Sequence, residues 1–258
     1  MTRSLVLGLI VLVHGLAGVL AQTPKPPVPP GWDSGGTLVA LIGSGIDYRQ
    51  PTIAARLARD GEGEVIGWDC VEDDRRPFDR SQGGSPDAAG GDTTAIASVI
   101  LAGKEPVRLV AVRADVANAR TLGNAAFFAG KTGARVVALA MWSDNGGAWE
   151  TFRQAVALNG NVLFIVAAGD GPDAEALYPA AFNLSNMLVV SAGEGWQRAK
   201  GFNGITRNVA GGQLGAALAV QAAARILGRE PTIAVADLKA RLEKELVTPR
   251  KKAIGKAP

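Results

Sequence analysis

Past its first segment the chain has no histidine: the only one is His14, inside an apolar run from Leu5 to Leu20. An imidazole general base and a His-ligated metal are therefore excluded for the whole chain beyond that run. Cysteine is almost as scarce. Cys70 stands alone, so no internal disulfide can form, and with no His partner it has nothing to turn it into a thiolate nucleophile. Its ordinary reading is a small apolar residue at a strand end. Charge of one sign is also lacking, with Lys+Arg 27 against Asp+Glu 24 and a formal net charge of +3. Such a balance gives no global field to draw the chain to nucleic acid. Only the tail Arg250, Lys251, Lys252 and Lys256 is locally basic, as a solvated terminus often is.

What is present divides the chain. Arg3, the apolar run and Val19-Leu20-Ala21 read as a signal peptide over 1–21, cleaved after Ala21. The run is shorter and richer in glycine than the ~20 apolar residues of a spanning helix, so no stable membrane span is expected after cleavage, and a secreted or periplasmic location follows. Residues 22–35 form a leader with Pro24, Pro26, Pro27, Pro29 and Pro30, extended and semi-rigid because proline fixes φ and removes an N–H. The folded domain is expected to begin near Trp32 and to occupy 36–247, followed by a basic tail over 248–258.

Short apolar runs alternate with helical patterns through that domain. Leu38 to Ile42, Glu64 to Asp69, Arg108 to Val112, Val136 to Met141, Val162 to Ala167 and Met187 to Ala192 are nearly continuous in apolar residues. Strands buried on both faces of a parallel sheet have this character. Helices are expected over Thr93 to Ala102, Arg120 to Ala129, Ala148 to Leu158, Leu214 to Leu227 and Ile233 to Leu246. The β-α-β order predicts a single-domain α/β fold, a doubly wound, mostly parallel sheet with helices on both faces. Its sites would lie at the carboxyl ends of the strands. Gly43-Ser44-Gly45 follows one of them, but it lacks the third glycine of a dinucleotide turn and the G-x-S-x-G spacing of a nucleophile elbow. A turn with a permissive glycine remains.

The loops read together resemble one family. Val39 to Asp47, VALIGSGID, is similar to the subtilase pattern VAVIDTGID, with Gln50-Pro51 where that family has His-Pro. Trp68 to Asp74, through Pro77-Phe78-Asp79, looks like its acidic stretch. Leu109 to Arg113 is similar to its LLAVRV strand, and Val166-Ala167-Ala168-Gly169 with Tyr178-Pro179-Ala180-Ala181 resembles VAAAGN…YPAAY. Gly212 to Leu227, then Pro231-Thr232 and Leu238 to Leu242, looks like its GTSMAAP helix with the PTLT and LRARL segments after it.

The resemblance implies a subtilisin-like fold, and it places the departures on the reactive positions. The family's Asp falls on Gly43, its His on Asp92, its oxyanion Asn on Asp170 and its Ser on Gln213. Acyl transfer needs a nucleophile, a base, an orienting carboxylate and oxyanion donors. With all four changed, the reading is a pseudoprotease, a noncatalytic peptide- or protein-binding or scaffold domain. Two enzyme readings stand beside it: a serine-type endopeptidase by family membership, and an enzyme with a rearranged carboxylate-based site. A purely structural, self-associating protein is a further one.

No cofactor is implied, and calcium is the one ion the carboxylates suggest. Asp47, Asp92 and Asp170 would converge at one sheet edge into an acidic pocket for a cation or a basic peptide. The competing reading makes them helix caps or solvated charges, with Asp92 suited to cap the helix that starts at Thr93. Asp69, Glu72, Asp73 and Asp74 are a second candidate metal set, or else loop charge paired by Arg75, Arg76 and Arg80. Met141 and Trp142 stand where the family binds a substrate side chain; either they fill that subsite, or Trp142, Trp149 and Phe152 cover a neighbouring helix.

Overall fold

The computed structural model of the protein describes residues 25–79, 93–168, 177–191, 205–206 and 212–247. The expected signal peptide, residues 80–92 with Asp92 among them, Asp170 and the basic tail lie outside the described residues.

Among the described residues seven strands form one sheet: β1 (Thr37–Gly43), β2 (Trp68–Asp69), β3 (Val107–Arg113), β4 (Val136–Leu139), β5 (Leu163–Ala167), β6 (Met187–Ser191) and β7 (Ile205–Thr206). Their order is β2-β3-β1-β4-β5-β6-β7, and every pairing is parallel. The apolar runs explain this, because alternate residues of each strand feed two cores. Val39, Leu41, Leu109, Val136, Ile165 and Leu188 lie in one buried cluster. Ala40, Ile42, Val110, Val137, Phe164 and Val189 lie in the other. A sheet with no wet face needs helices on both sides.

The helices supply that cover. On the first face lie α2 (Thr93–Leu101), α5 (Gly212–Arg229) and α6 (Val235–Val247); on the second lie α3 (Ala119–Lys131) and α4 (Glu150–Leu158). A single short turn of helix, α1 (Pro51–Ala54), follows β1. The long helix α5 crosses β1, β4, β5 and β6. It can lie close to them because Ala216, Ala217, Ala219, Ala222, Ala223 and Ala224 are small and buried. At its far end the Arg135 guanidinium clamps the α5–α6 connection, donating to the carbonyls of Pro231 at 2.8 Å and Ile233 at 2.5 Å, and to that of Asn161 at 3.1 Å.

Two expectations change. The strand expected over Glu64 to Asp69 is regular only at Trp68–Asp69, because Arg59 and Val65 form an antiparallel bridge that turns the chain back beforehand. Packing also starts earlier than Trp32: the extended segment from Lys25 is laid against the domain. Lys25 is buried, the Tyr48 hydroxyl donates to Pro26 O at 2.8 Å, and Arg59 donates to Pro29 O at 2.6 Å. Asp33 accepts from the Arg59 N–H and from the Arg108 guanidinium, both at 2.9 Å. Burial would raise the Asp33 carboxyl, but these bonds and the Gly35 N–H outweigh it and hold it below the usual range.

Candidate functional site

Strand addition changes direction at β1, with β3 and β2 on one side and β4 to β7 on the other. In an open parallel sheet the crevice outside the carboxyl end at such a point is where ligands bind. Gly43, expected to fall on the family's carboxylate, is the last residue of β1 and so sits at that crevice. It is closed. A Cβ built on Gly43 would overlap the Thr93 side chain and stand 2.9 Å from the Thr93 Cβ.

Thr93 and Thr94, the first residues of α2, hold the loop that leaves β1. The Ser44 N–H donates to Thr93 Oγ1 at 3.0 Å, and the Asp47 N–H donates to Thr94 Oγ1 at 3.0 Å. The Ser44 and Thr93 hydroxyls are 3.1 Å apart, and Ser44 Oγ is 3.5 Å from Asp79 Oδ2. Gly45 makes the turn between them at φ +108, where a Cβ would meet the Phe78 carbonyl carbon at 2.7 Å. The glycine-turn reading of Gly43-Ser44-Gly45 thus has a physical basis. Thr93 was not legible as a site residue. The signal was indirect: the expected replacement of an Asp by Gly43 would leave space there, and the β-branched Thr93 side chain occupies it.

Gln213, expected to fall on the family's serine, lies in the first turn of α5, over the end of the adjacent strand. Its Nε2 donates to Ala140 O at 3.2 Å, and the Ala140 N–H in turn donates to Ile42 O at 2.9 Å. Gly43 and Gln213 therefore flank neighbouring strand ends, while Asp92 and Asp170 lie outside the described residues. Asp47 reaches the same edge, but its carboxylate is engaged by Arg49, whose Nε donates to Oδ1 at 2.8 Å and Nη2 to Oδ2 at 2.9 Å.

Beyond β4 the chain is fixed from one side. Ser143 bridges to Tyr178 through both backbone groups, and its Oγ accepts the Trp149 indole N–H at 2.8 Å. Met141, Trp149 and Phe152 are buried together in the core beneath α3 and α4. The expected Met141–Trp142 plug is thus not a pair: Met141 turns into the core, as alternation along an extended chain requires. Trp142 alone stays half-buried at the strand exit.

The acidic run has its own cations. Lys25 Nζ lies 2.5 Å from Asp69, 2.9 Å from Asp74 and 3.4 Å from Glu72. Arg113 donates to Asp69 and to Glu72, both at 2.8 Å, while Arg76 reaches Asp74 only at 3.5 Å. Asp69 is fully buried, and its other oxygen accepts the N–H groups of Val71 and Glu72. Burial opposes ionisation of Asp74, yet the Lys25 ammonium and the Arg76 N–H hold its carboxyl below the usual range. Of the arginines expected to pair this run, Arg76 does so weakly, and the main partners are Lys25 and Arg113. Among the described residues no group of three or more His, Cys, Asp or Glu is arranged to hold a metal ion. Beside the run, burial and then the charges of Asp69 and Asp73 push the Cys70 thiol up to about 12, so it is not a thiolate near neutrality. Among the described residues no helix is long and apolar enough to cross a membrane.

No family model matches this sequence, and no curated protein matches it either. Solved structures do match. A cold adapted subtilisin-like serine proteinase is 16% identical at a TM-score of 0.56, over 84% of this chain and 84% of that one. The nisin leader peptidase NisP from Lactococcus lactis is 12% identical at 0.58, over 81% and 82%. The S41 psychrophilic protease is 16% identical at 0.54, again over 81% and 82%. The chain has the subtilisin-like fold.

Proposed function

We propose that this protein is a noncatalytic bearer of that fold, a peptide- or protein-binding domain that acts outside the cytoplasm once residues 1–21 are removed. The observation that carries the reading is the closed space at Gly43. Serine-triad hydrolysis needs a carboxylate to orient its base, and here the volume for any side chain at the matching position is taken by Thr93. Gln213 adds to this: its amide is committed to the Ala140 carbonyl, and an amide is no nucleophile. An ionised Asp170, in the place of the family's oxyanion donor, would oppose the charge that develops there. In subtilisin itself, losing the nucleophile costs on the order of 10⁶-fold in turnover.

One observation favours a second reading, a rearranged hydroxyl–carboxylate centre made by Ser44, Thr93 and Asp79. Against it, 3.5 Å is long for an O–H···O⁻ bond, and an aspartate is a poor base for an alcohol. The discriminating experiment is a peptidase assay with fluorophosphonate labelling on residues 22–258, produced in a host without its own subtilases. Neither cleavage nor labelling is expected, in wild type or in Gln213→Ala. Cleavage or labelling that disappears in Ser44→Ala would refute the noncatalytic reading and establish the second.

A further inference from the structure

Every residue from Lys25 to Pro30 either is a proline or precedes one, and both positions are confined to extended, polyproline II-like backbone. Such a helix has three residues per turn, so Pro27 and Pro30 share one edge. That edge is the outward one: both rings are exposed. The inward edges are tied down. Pro26 and Pro29 give their carbonyls to Tyr48 and Arg59, Val28 packs against the core, and Lys25 is buried among carboxylates. Immediately after the ridge, Trp32 leaves 81% of its surface exposed. Ridge and indole border a groove of about 570 Å³, whose charged rim is Glu62, Glu64, Arg75 and Arg76 beside the buried Arg59.

We propose that the Pro27–Pro30–Trp32 ridge is a docking surface for a partner protein whose groove is lined with aromatic rings. Proline faces spaced three residues apart are read by stacked aromatic rings. A free proline-rich peptide must be held still on binding, whereas this one is already held by its own domain, which lowers the ordering cost of association. The rim is balanced in sign, so it suits a neutral apolar face and not a polyanion or an anionic membrane. This surface does not depend on the state of the cleft, and it stands whether or not the protein cleaves peptides.

An isolated WW domain, a small module with a two-ring proline-binding groove, serves as the probe. Titrated calorimetrically into the mature chain, it is expected to give a saturable heat, weakened about tenfold or more by Pro27→Ala/Pro30→Ala, since tenfold corresponds to ~1.4 kcal/mol. Should that double variant loosen the arm, seen as a lowered thermal midpoint, Trp32→Ala gives the same test, because the indole leaves 81% of its surface exposed. A silent titration, or binding that both variants leave unchanged, would overturn the proposal. So would a Trp32-dependent dimer in sedimentation, which makes a second copy the occupant, or Trp32-dependent flotation with phosphatidylglycerol vesicles, which makes it a membrane.

Discussion

Replacing Gly43 by alanine adds one methyl group at the end of a buried strand, and the outcome separates two opposed effects. Where space allows, Gly→Ala stabilises by ~0.4–1 kcal/mol through the unfolded chain. Here the new Cβ would stand 2.9 Å from the Thr93 Cβ and overlap the rest of that side chain. Forcing a methyl into a packed site costs ~1–3 kcal/mol, so the net effect should be a loss of roughly 1–2 kcal/mol. For a domain of this size that lowers the thermal midpoint by roughly 2–8 °C. The origin of the cost can be isolated with Thr93→Ala, which trims the colliding atoms while forfeiting the Ser44 N–H bond. In a double-mutant cycle read by urea denaturation, the Gly43→Ala cost should fall by ~1 kcal/mol or more in the Thr93→Ala background. An equal cost in both backgrounds, or a stabilising Gly43→Ala, would refute the claim that Thr93 closes this position. Gly43→Asp, a larger side chain in the same space, should be worse than alanine for the same reason and, on the noncatalytic reading proposed above, should confer no hydrolysis.

Lys25→Met removes the ammonium from beside Asp69, but Arg113 and two backbone N–H groups remain on that carboxylate. The loss should fall near the lower end of the ~3–5 kcal/mol that breaking a buried ion pair costs, with faster amide exchange at Tyr48; a change within ±0.5 kcal/mol would contradict the network's role. The pH profile follows from Asp33 and Asp74, whose folded pKa values are depressed. Their contribution is present above the ordinary aspartate pKa and is lost as pH falls through the folded value, so the thermal midpoint should drop below about pH 4. Between about pH 5 and 8 it should be flat, since no histidine follows His14; a step near pH 6.5 would count against this account.

The fold was legible where one kind of force dominated. β3, β5 and β6 and all the longer helices fell within a residue or three of their expected bounds, because a strand buried on both faces must be apolar throughout. β7, only Ile205–Thr206, carries too short a signal to find, and α1 rests on Pro51 at its start. The candidate site was legible only through resemblance. Composition could show that no imidazole follows His14, but not that Thr93 would occupy the space at Gly43, a contact across fifty positions of chain that no local pattern encodes. Lys25 was equally hidden: among prolines it reads as a solvated charge, and its burial depends on Asp69 and Asp74 being brought together by the turn after β2.

The Arg135 clamp acts at the opposite pole of the molecule from the crevice. α5 is 18 residues long, a rod of roughly 27 Å, with Gln213 at one end and Leu227 beside the clamp at the other. A rod seated on four strands cannot slide at one end without sliding at the other. Loosening the Arg135 bonds to Pro231 and Ile233 is therefore expected to be felt at the far end of the helix, where Gln213 rests on the Ala140 carbonyl. A contact at the basal face is in this way coupled to the position of a side chain at the opposite edge of the sheet.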